Sequence, residues 1–373
     1  MAEEGTYRIA VLAGDGIGPE VTAAARVALE TVAALYDRRF AYEEGLVGGA
    51  AIDATGEPLP AATLEVCRRS DAILFGAIGM PKYDDPALQV RPEQGLLGLR
   101  KALGLFANLR PVKALAALVP SSPLKAEIVS GVDLLVVREL TGGIYFGKPS
   151  RRWTTARGRR AVDTLPYREE EIARVVRLAC ALARGRRGLV TSVDKANVLN
   201  TSRLWREVAT EIAGEADGIR LEHVLVDACA MHLINNPRRF DVIVTENLFG
   251  DILTDEASVL AGALGVLPSA SLNGRRPERP DSPAVQFGMY EPIHGSAPDI
   301  AGQDRANPLG AILSAAMLLR LSCGLEDEAA AIERAVEATL DGGLRTADTA
   351  QDGTRVVGTR EMGEAVAREI AAA

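Results

Sequence analysis

The chain has 373 residues, enough for two domains or for one large core with insertions. With 47% hydrophobic and 25% charged residues and a formal charge of −8, it reads as globular, and the acidic balance excludes the broad basic field of a general nucleic-acid binder. No apolar run approaches the roughly 20 residues that span a bilayer.

The acidic start MAEEGTYRIAVLAG lacks the basic n-region of a signal peptide. Cys67, Cys180, Cys229 and Cys323 lie far apart with no CxxC pair, the pattern of reduced thiols in a cytoplasmic protein. In chain order, YRIAVLAG predicts a buried strand, and Val21, Ala25, Ala28, Val32 and Leu35 then repeat at helical spacing. DAILFGAIG, DLLVVREL, GLVTSVDK and FDVIVTEN predict further strands. Helices are predicted over Glu169–Ala183, Thr201–Ala213, Leu248–Leu264 and Ala311–Leu321. Strands alternating with helices define an α/β fold with a mixed, largely parallel sheet. The arginine-rich segment Ser150–Pro166 reads as an exposed hairpin or dimer arm rather than a nucleic-acid contact, and Asn273–Gly288, with three prolines, as a surface loop.

LAGDGIGPEV places a glycine turn between strand and helix, but Pro19 stands where a dinucleotide fingerprint needs its third glycine. The fold is therefore expected to be non-Rossmann. Arg100, Arg110 and Arg138 border apolar segments, where guanidinium forks suit carboxylates; each alone is also an ordinary surface arginine. Lys195 follows a strand end, as a solvated cation or as a general base in a drier site. Tyr145, after two glycines, is a packing residue or a proton donor. Asp227 closes another apolar run, and His232 has no companions at metal-ligand spacing. Asp251 and Asp255 stand four apart on one helix, where like charges repel. Either that face is simply solvated, or a hard divalent cation lies between the carboxylates.

Taken in order, LAGDGIGPEV, RPEQGLLGLRK, FANLRP, VRELTGGIYFG, VDKANVL, NLFGDILTDEAS, LPSASL and EPIHGSAPDIAGQDRANP resemble the isocitrate/isopropylmalate β-decarboxylating dehydrogenase family over nearly the whole chain. The resemblance implies two α/β domains, a discontinuous one over 1–105 and 262–373 and a central one over 106–261 that carries the dimer interface and arm. It implies NAD-linked oxidative decarboxylation of (2R,3S)-3-isopropylmalate to 4-methyl-2-oxopentanoate, a leucine-biosynthetic step, by a homodimer with shared active sites.

By motif position, Arg100, Arg110 and Arg138 would hold substrate carboxylates, and Glu93, Leu96 and Leu97 would face the isopropyl group. Burying a third carboxylate against two leucines would be costly, which favours isopropylmalate. Tyr145 would be the acid and the partner's Lys195 the base. Asp251 and Asp255, with Asp227 of the partner subunit, would bind Mg²⁺ or Mn²⁺. NAD would lie near Gly76 and Gly79 and along Glu291, His294, Gly295, Ser296, Ala297, Asp299, Ile300 and Asn307, with Asp299 accepting the ribose hydroxyl and repelling a 2′-phosphate. Met80 and Tyr83 depart from the glycine and tryptophan common in relatives, and the 273–288 loop is longer than usual.

Overall fold

A computed structural model describes residues 5–85, 88–274 and 285–372. In chain order the longer strands are β1 (Thr6–Gly14), β2 (Arg39–Glu44), β3 (Ala72–Ala77), β4 (Ala107–Lys113), β5 (Asp133–Glu139), β6 (Arg151–Thr155), β7 (Gly158–Val162), β8 (Leu189–Asp194), β9 (Arg220–Leu225), β10 (Val242–Thr245), β11 (Pro268–Gly274) and β12 (Phe287–Pro292), followed by a short parallel pair at Leu344–Arg345 and Arg355–Val356. The chain divides into two compact units. The first comprises Met1–Leu105, Leu115–Pro123 and Ala261–Ala373, and the second Phe106–Ala114 and Leu124–Leu260. Leu115–Pro123, inside the central segment as read from sequence, thus groups with the first unit.

In the first unit the strands run β2-β1-β3-β12-β11. The pairs β1–β2, β1–β3 and β3–β12 are parallel, and β11 closes antiparallel on β12. Every residue of β3, AILFGA, is buried, the continuous apolar run expected of a strand covered on both faces. Helix Gly18–Leu35 starts with Pro19 in its first turn and buries Val21, Ala25, Ala28, Leu29 and Val32 at 3–4 residue spacing. Ile73, Phe75, Leu99, Leu105, Phe287 and Met289 form one core cluster, and Leu96 packs partly against it. Full burial of each such side chain contributes about 1.5–3 kcal/mol.

In the second unit the order is β4-β5-β10-β8-β9, antiparallel at β4–β5 and parallel elsewhere. Helix Glu169–Arg184 buries Ile172, Val175, Val176, Ala179 and Ala183 and packs on helix Asn200–Gly214. Its three leading glutamates oppose the helix dipole's positive end, and Glu171 accepts from the Arg168 amide at 2.9 Å. The hairpin expected in Ser150–Pro166 is present as antiparallel β6–β7.

Two helix ends differ from the sequence expectation. The helix expected over Leu248–Leu264 ends at Ser258, followed by a 3₁₀ turn at Val259–Ala261. Gly262 then adopts φ +84° against the Leu118 carbonyl, a position no side chain fits. The helix expected over Ala311–Leu321 spans Leu309–Leu318 and widens into a π-turn at Leu319–Cys323. All four cysteines are free and buried. No described helix is long and apolar enough to cross a membrane. Of the Asn273–Gly288 loop, Arg275–Ala284 lie outside the described residues.

Candidate active site

Helix Asn247–Ser258 in the second unit begins with Glu246, whose side chain accepts from the Phe249 amide at 2.8 Å as an N-cap. The helix then projects Asp251 and Asp255 one turn apart. Each carboxylate has its own arginine. Arg138, at the end of β5, donates to Asp251 at 2.5 Å, and Arg110, on β4, donates to Asp255 at 3.2 Å and to Thr254 at 2.9 Å. Their mutual repulsion is therefore offset inside the chain by charge-assisted bonds, so the face is not merely wet. Arg138 is only 6% exposed, whereas the Asp255 side chain is 78% exposed, which leaves its ion pair weak and screened.

Tyr145 donates its phenol proton to the second Asp251 oxygen at 2.7 Å. Desolvation, then this hydrogen bond, pushes the phenol up to about 12, so it remains protonated through neutral pH. Arg138, Asp251 and Tyr145 thus join an anion-binding cation, a hard oxygen donor and a proton donor.

Elsewhere in the second unit, Lys195 follows β8 and donates to Asp227 at 2.5 Å. Asp227 lies in the first turn of helix Val226–Asn235, and the Lys195 bond holds its carboxyl below the usual carboxylate range. Among the described residues no three His, Cys, Asp or Glu groups converge as one metal site, so Asp227 does not join Asp251 and Asp255 within the chain. Two carboxylates one turn apart do fit part of the oxygen shell of Mg²⁺ or Mn²⁺. His232 lies edge-on to Phe240, 6.4 Å between ring centres.

In the first unit, helix Glu93–Ala102 carries the other substrate-side candidates. Arg100 donates to buried Glu291 at 2.9 Å, joining two residues 191 positions apart. Leu97, one turn before Arg100, is 50% exposed, while Leu96 is turned partly into the core. Glu93 is exposed, 3.7 Å from Arg91.

The GDGIG turn braces the 294–297 segment. The Ile17 amide donates to the Ser296 carbonyl at 2.8 Å, and a Cβ on Gly16 would lie 2.0 Å from that oxygen. Buried Asp15 accepts from the Gly49, Ala50 and Gly79 amides at 2.8, 2.8 and 3.0 Å, fixing Gly79 beside Ser296. Gly76 is required because a Cβ there would strike the Ala13 carbonyl at 2.2 Å. Asp15 was absent from the sequence candidates, although its place between two glycines at a strand end was the available signal.

His294 is the informative residue of this segment. Its Nδ1 is 2.9 Å from the Gly295 carbonyl, and its buried Nε2 has no protein partner. Burial holds the imidazole below its usual range, hence neutral, with Nδ1 donating and Nε2 left as an acceptor. Gly295 has open space where a Cβ would point, and Ala297 adopts φ +37°, in the left-handed region unusual for alanine. Asp299 is exposed and Ile300 half-buried. An unpaired acceptor at His294 and an exposed carboxylate at Asp299 are groups of the kind that meet the amino and ribose groups of an adenine dinucleotide. Asn307 has a structural duty: it donates to Asp348 at 3.0 Å and accepts from the Leu309 amide at 3.0 Å. Tyr83, one of the two departures from the family pattern, donates to Asp53 at 2.6 Å, and Met80 lies against Gly49.

An α/β fold with paired carboxylates, clustered arginines and a braced glycine–histidine segment defines a dehydrogenase-type architecture. The family model described as isocitrate/isopropylmalate dehydrogenase matches residues 8–366, and the chain belongs to that family. It is 59% identical over 362 residues to the 3-isopropylmalate dehydrogenase of Geobacillus kaustophilus, covering 97% of this chain and 95% of the relative. It is 56% identical over 365 residues to that of Dehalococcoides mccartyi, covering 98% and 99%. Among solved structures, the isocitrate dehydrogenase of Methylococcus capsulatus aligns with TM-score 0.83 and 34% identity over 98% of this chain and 99% of that one. A β-decarboxylating dehydrogenase from Thermococcus kodakarensis aligns with TM-score 0.79 and 37% identity over 98% and 96%.

Proposed function

We propose that the chain oxidises and decarboxylates (2R,3S)-3-isopropylmalate to 4-methyl-2-oxopentanoate and CO₂, with NAD⁺ as hydride acceptor, in leucine biosynthesis. The observation that carries this reading is the Arg138–Asp251–Tyr145 constellation in a chain of this family. Arg138 and Arg110, each paired with an aspartate, supply cations for substrate carboxylates. Half-exposed Leu97 offers the isopropyl group an apolar contact that a third carboxylate would reject.

Asp251, Asp255 and Asp227 of the partner subunit would hold Mg²⁺ or Mn²⁺, which would supply Lewis-acid polarisation. NAD, when bound along Glu291–Asn307, supplies the hydride acceptor, with Asp299 disfavouring a 2′-phosphate. Lys195 of the partner subunit removes the C2 hydroxyl proton. After hydride leaves C2, the C3 carboxylate departs as CO₂, and its bonding electrons pass into the enolate. Tyr145 returns a proton at C3.

A homodimer is part of the reading because one acidic group, Asp227, and one basic group, Lys195, come from a second copy. Met231 and Ile252, each more than half exposed on the packed helices Val226–Asn235 and Asn247–Ser258, offer the apolar surface for it. The test is kcat/KM for isopropylmalate against D-malate, isocitrate and homoisocitrate. Isopropylmalate should lead by at least an order of magnitude, about 1.4 kcal/mol or more in transition-state binding. A higher value for any of the others would reassign the substrate.

A further inference from the structure

We propose that Tyr167 and Asn247 form a buried positioning hub that sets Arg138 and the turn bearing Tyr145 in their working places. The proposal rests on the roles given above to Arg138 and Tyr145, and adds what holds them.

Tyr167, 9% exposed, sits edge-on to Trp205 at 5.7 Å, and Trp205 is itself fixed by its indole bond to Ser192 Oγ at 3.2 Å. The Tyr167 hydroxyl faces Glu139 at 3.2 Å and Glu246 at 3.3 Å, and accepts from the Asn247 amide at 3.0 Å. Its ring presses on the TGG turn that leads to Tyr145. A Cβ on Gly142 would lie 2.6 Å from the ring, and one on Gly143, at φ +77°, would lie 2.7 Å from the hydroxyl. The two glycines are therefore shaped by Tyr167, not merely flexible.

Asn247, 1% exposed, passes this constraint onward. Its Nδ2 donates to the Gly142 carbonyl at 3.1 Å, and its Oδ1 accepts from Arg138 Nε at 3.1 Å and Nη2 at 2.9 Å. The arginine is thus held on one edge by a neutral amide, leaving Nη1 to meet Asp251. Gly250 completes the fit: a Cβ there would come within 2.5 Å of Arg138 Cγ, so the arginine stem lies across the helix where only hydrogen fits. Glu139 ties the same turn from behind, accepting from the Thr141 and Gly142 amides at 2.8 Å each. One amide side chain consequently joins the proton donor's turn to the carboxylate-binding arginine.

The experiment uses the full-length holoenzyme with Mg²⁺. Asn247→Ala should raise KM for isopropylmalate on the order of tenfold, about one lost charge-assisted bond, with KM for NAD changed less than twofold. Gly250→Ala, which removes no polar group, should move KM the same way by displacing the Arg138 stem. Asn247→Asp loses the donor to Gly142 and sets a competing carboxylate on Arg138, so kcat should fall and KM should rise. Crystal structures of the ligand-free variants should show the Arg138 guanidinium displaced in Asn247→Ala and Gly250→Ala. A purely structural role would lower Tm yet leave KM within twofold and Arg138 in place, and that result overturns the proposal. Should the parent enzyme fail to turn over isopropylmalate, the substrate reading falls, while the position of Arg138 in the crystals still decides the hub.

Discussion

The cluster around Asp251 and the segment Glu291–Asn307 reach chemical readiness by opposite routes. Around Asp251, side chains from β4, β5, the TGG turn and helix Asn247–Ser258 converge and bond one another, and the pair with Asp251 offsets the buried charge of Arg138. Along Glu291–Asn307 one contiguous stretch is held by backbone bonds, and its key side chain, His294, is left with an open acceptor. The first region is preorganised by mutually satisfied side chains, the second by backbone bonds that leave one acceptor open. Substitutions should therefore act on substrate binding and turnover in the first region and on cofactor affinity and choice in the second.

The strongest way to break this contrast is Lys195→Met, which should lower kcat by about 10²–10⁴ while leaving NAD affinity intact. Tyr145→Phe should do the same. Near-normal kcat in either variant at saturation would remove that residue from the chemistry. Next in size is the sharing of sites between copies. Lys195→Met and Asp255→Asn chains, each inactive alone, should regain about a quarter of parent activity when mixed equally and allowed to exchange. No recovery would place each site within one chain.

On the cofactor side, Asp299→Lys should shift the NADP/NAD ratio of kcat/KM by about tenfold or more towards NADP, through replacement of a repelling charge by an attracting one. An unmoved ratio would separate Asp299 from the ribose. The smallest effect is a pH dependence. His294 is held neutral below its usual range, so the unfolded chain protonates first, near pH 6.5. Stability contributed by this neutral histidine should decline as pH falls through about 6.5, and His294→Gln should flatten that decline in a Tm series. If the His294→Gln variant lost Tm in acid as steeply as the parent, the effect would belong to other groups.

The α/β class was legible because β3 and β10 are nearly unbroken apolar runs, β5 carries the run LLVV, and helices such as Gly18–Leu35 keep a 3–4 residue apolar repeat. Helix ends were less so. After the stop at Ser258 the chain brings Gly262 against the Leu118 carbonyl, an approach across 144 positions that no local pattern announces. At the site, the Asp251–Asp255 repulsion was readable from spacing, but its compensation by Arg138 and Arg110 was not, because those partners are brought in by sheet register. Tyr167 and Asn247 were missed for a related reason. An aromatic before a helix and an asparagine at a helix start have ordinary local explanations, and only the three-dimensional path from Tyr167 to Arg138 gives them another. The glycines of GDGIG, read as an incomplete phosphate-binding fingerprint, instead admit the Ser296 and Ala77 carbonyls at close range.

The most direct measurement is NADH formation from (2R,3S)-3-isopropylmalate by the purified protein, with Mg²⁺, with EDTA, and with NADP⁺ in place of NAD⁺. The account predicts rapid NADH formation with release of CO₂, its loss on chelation and recovery with added Mg²⁺, and a much weaker signal with NADP⁺. Undiminished turnover after exhaustive chelation, or no NADH at all from this substrate, would contradict it.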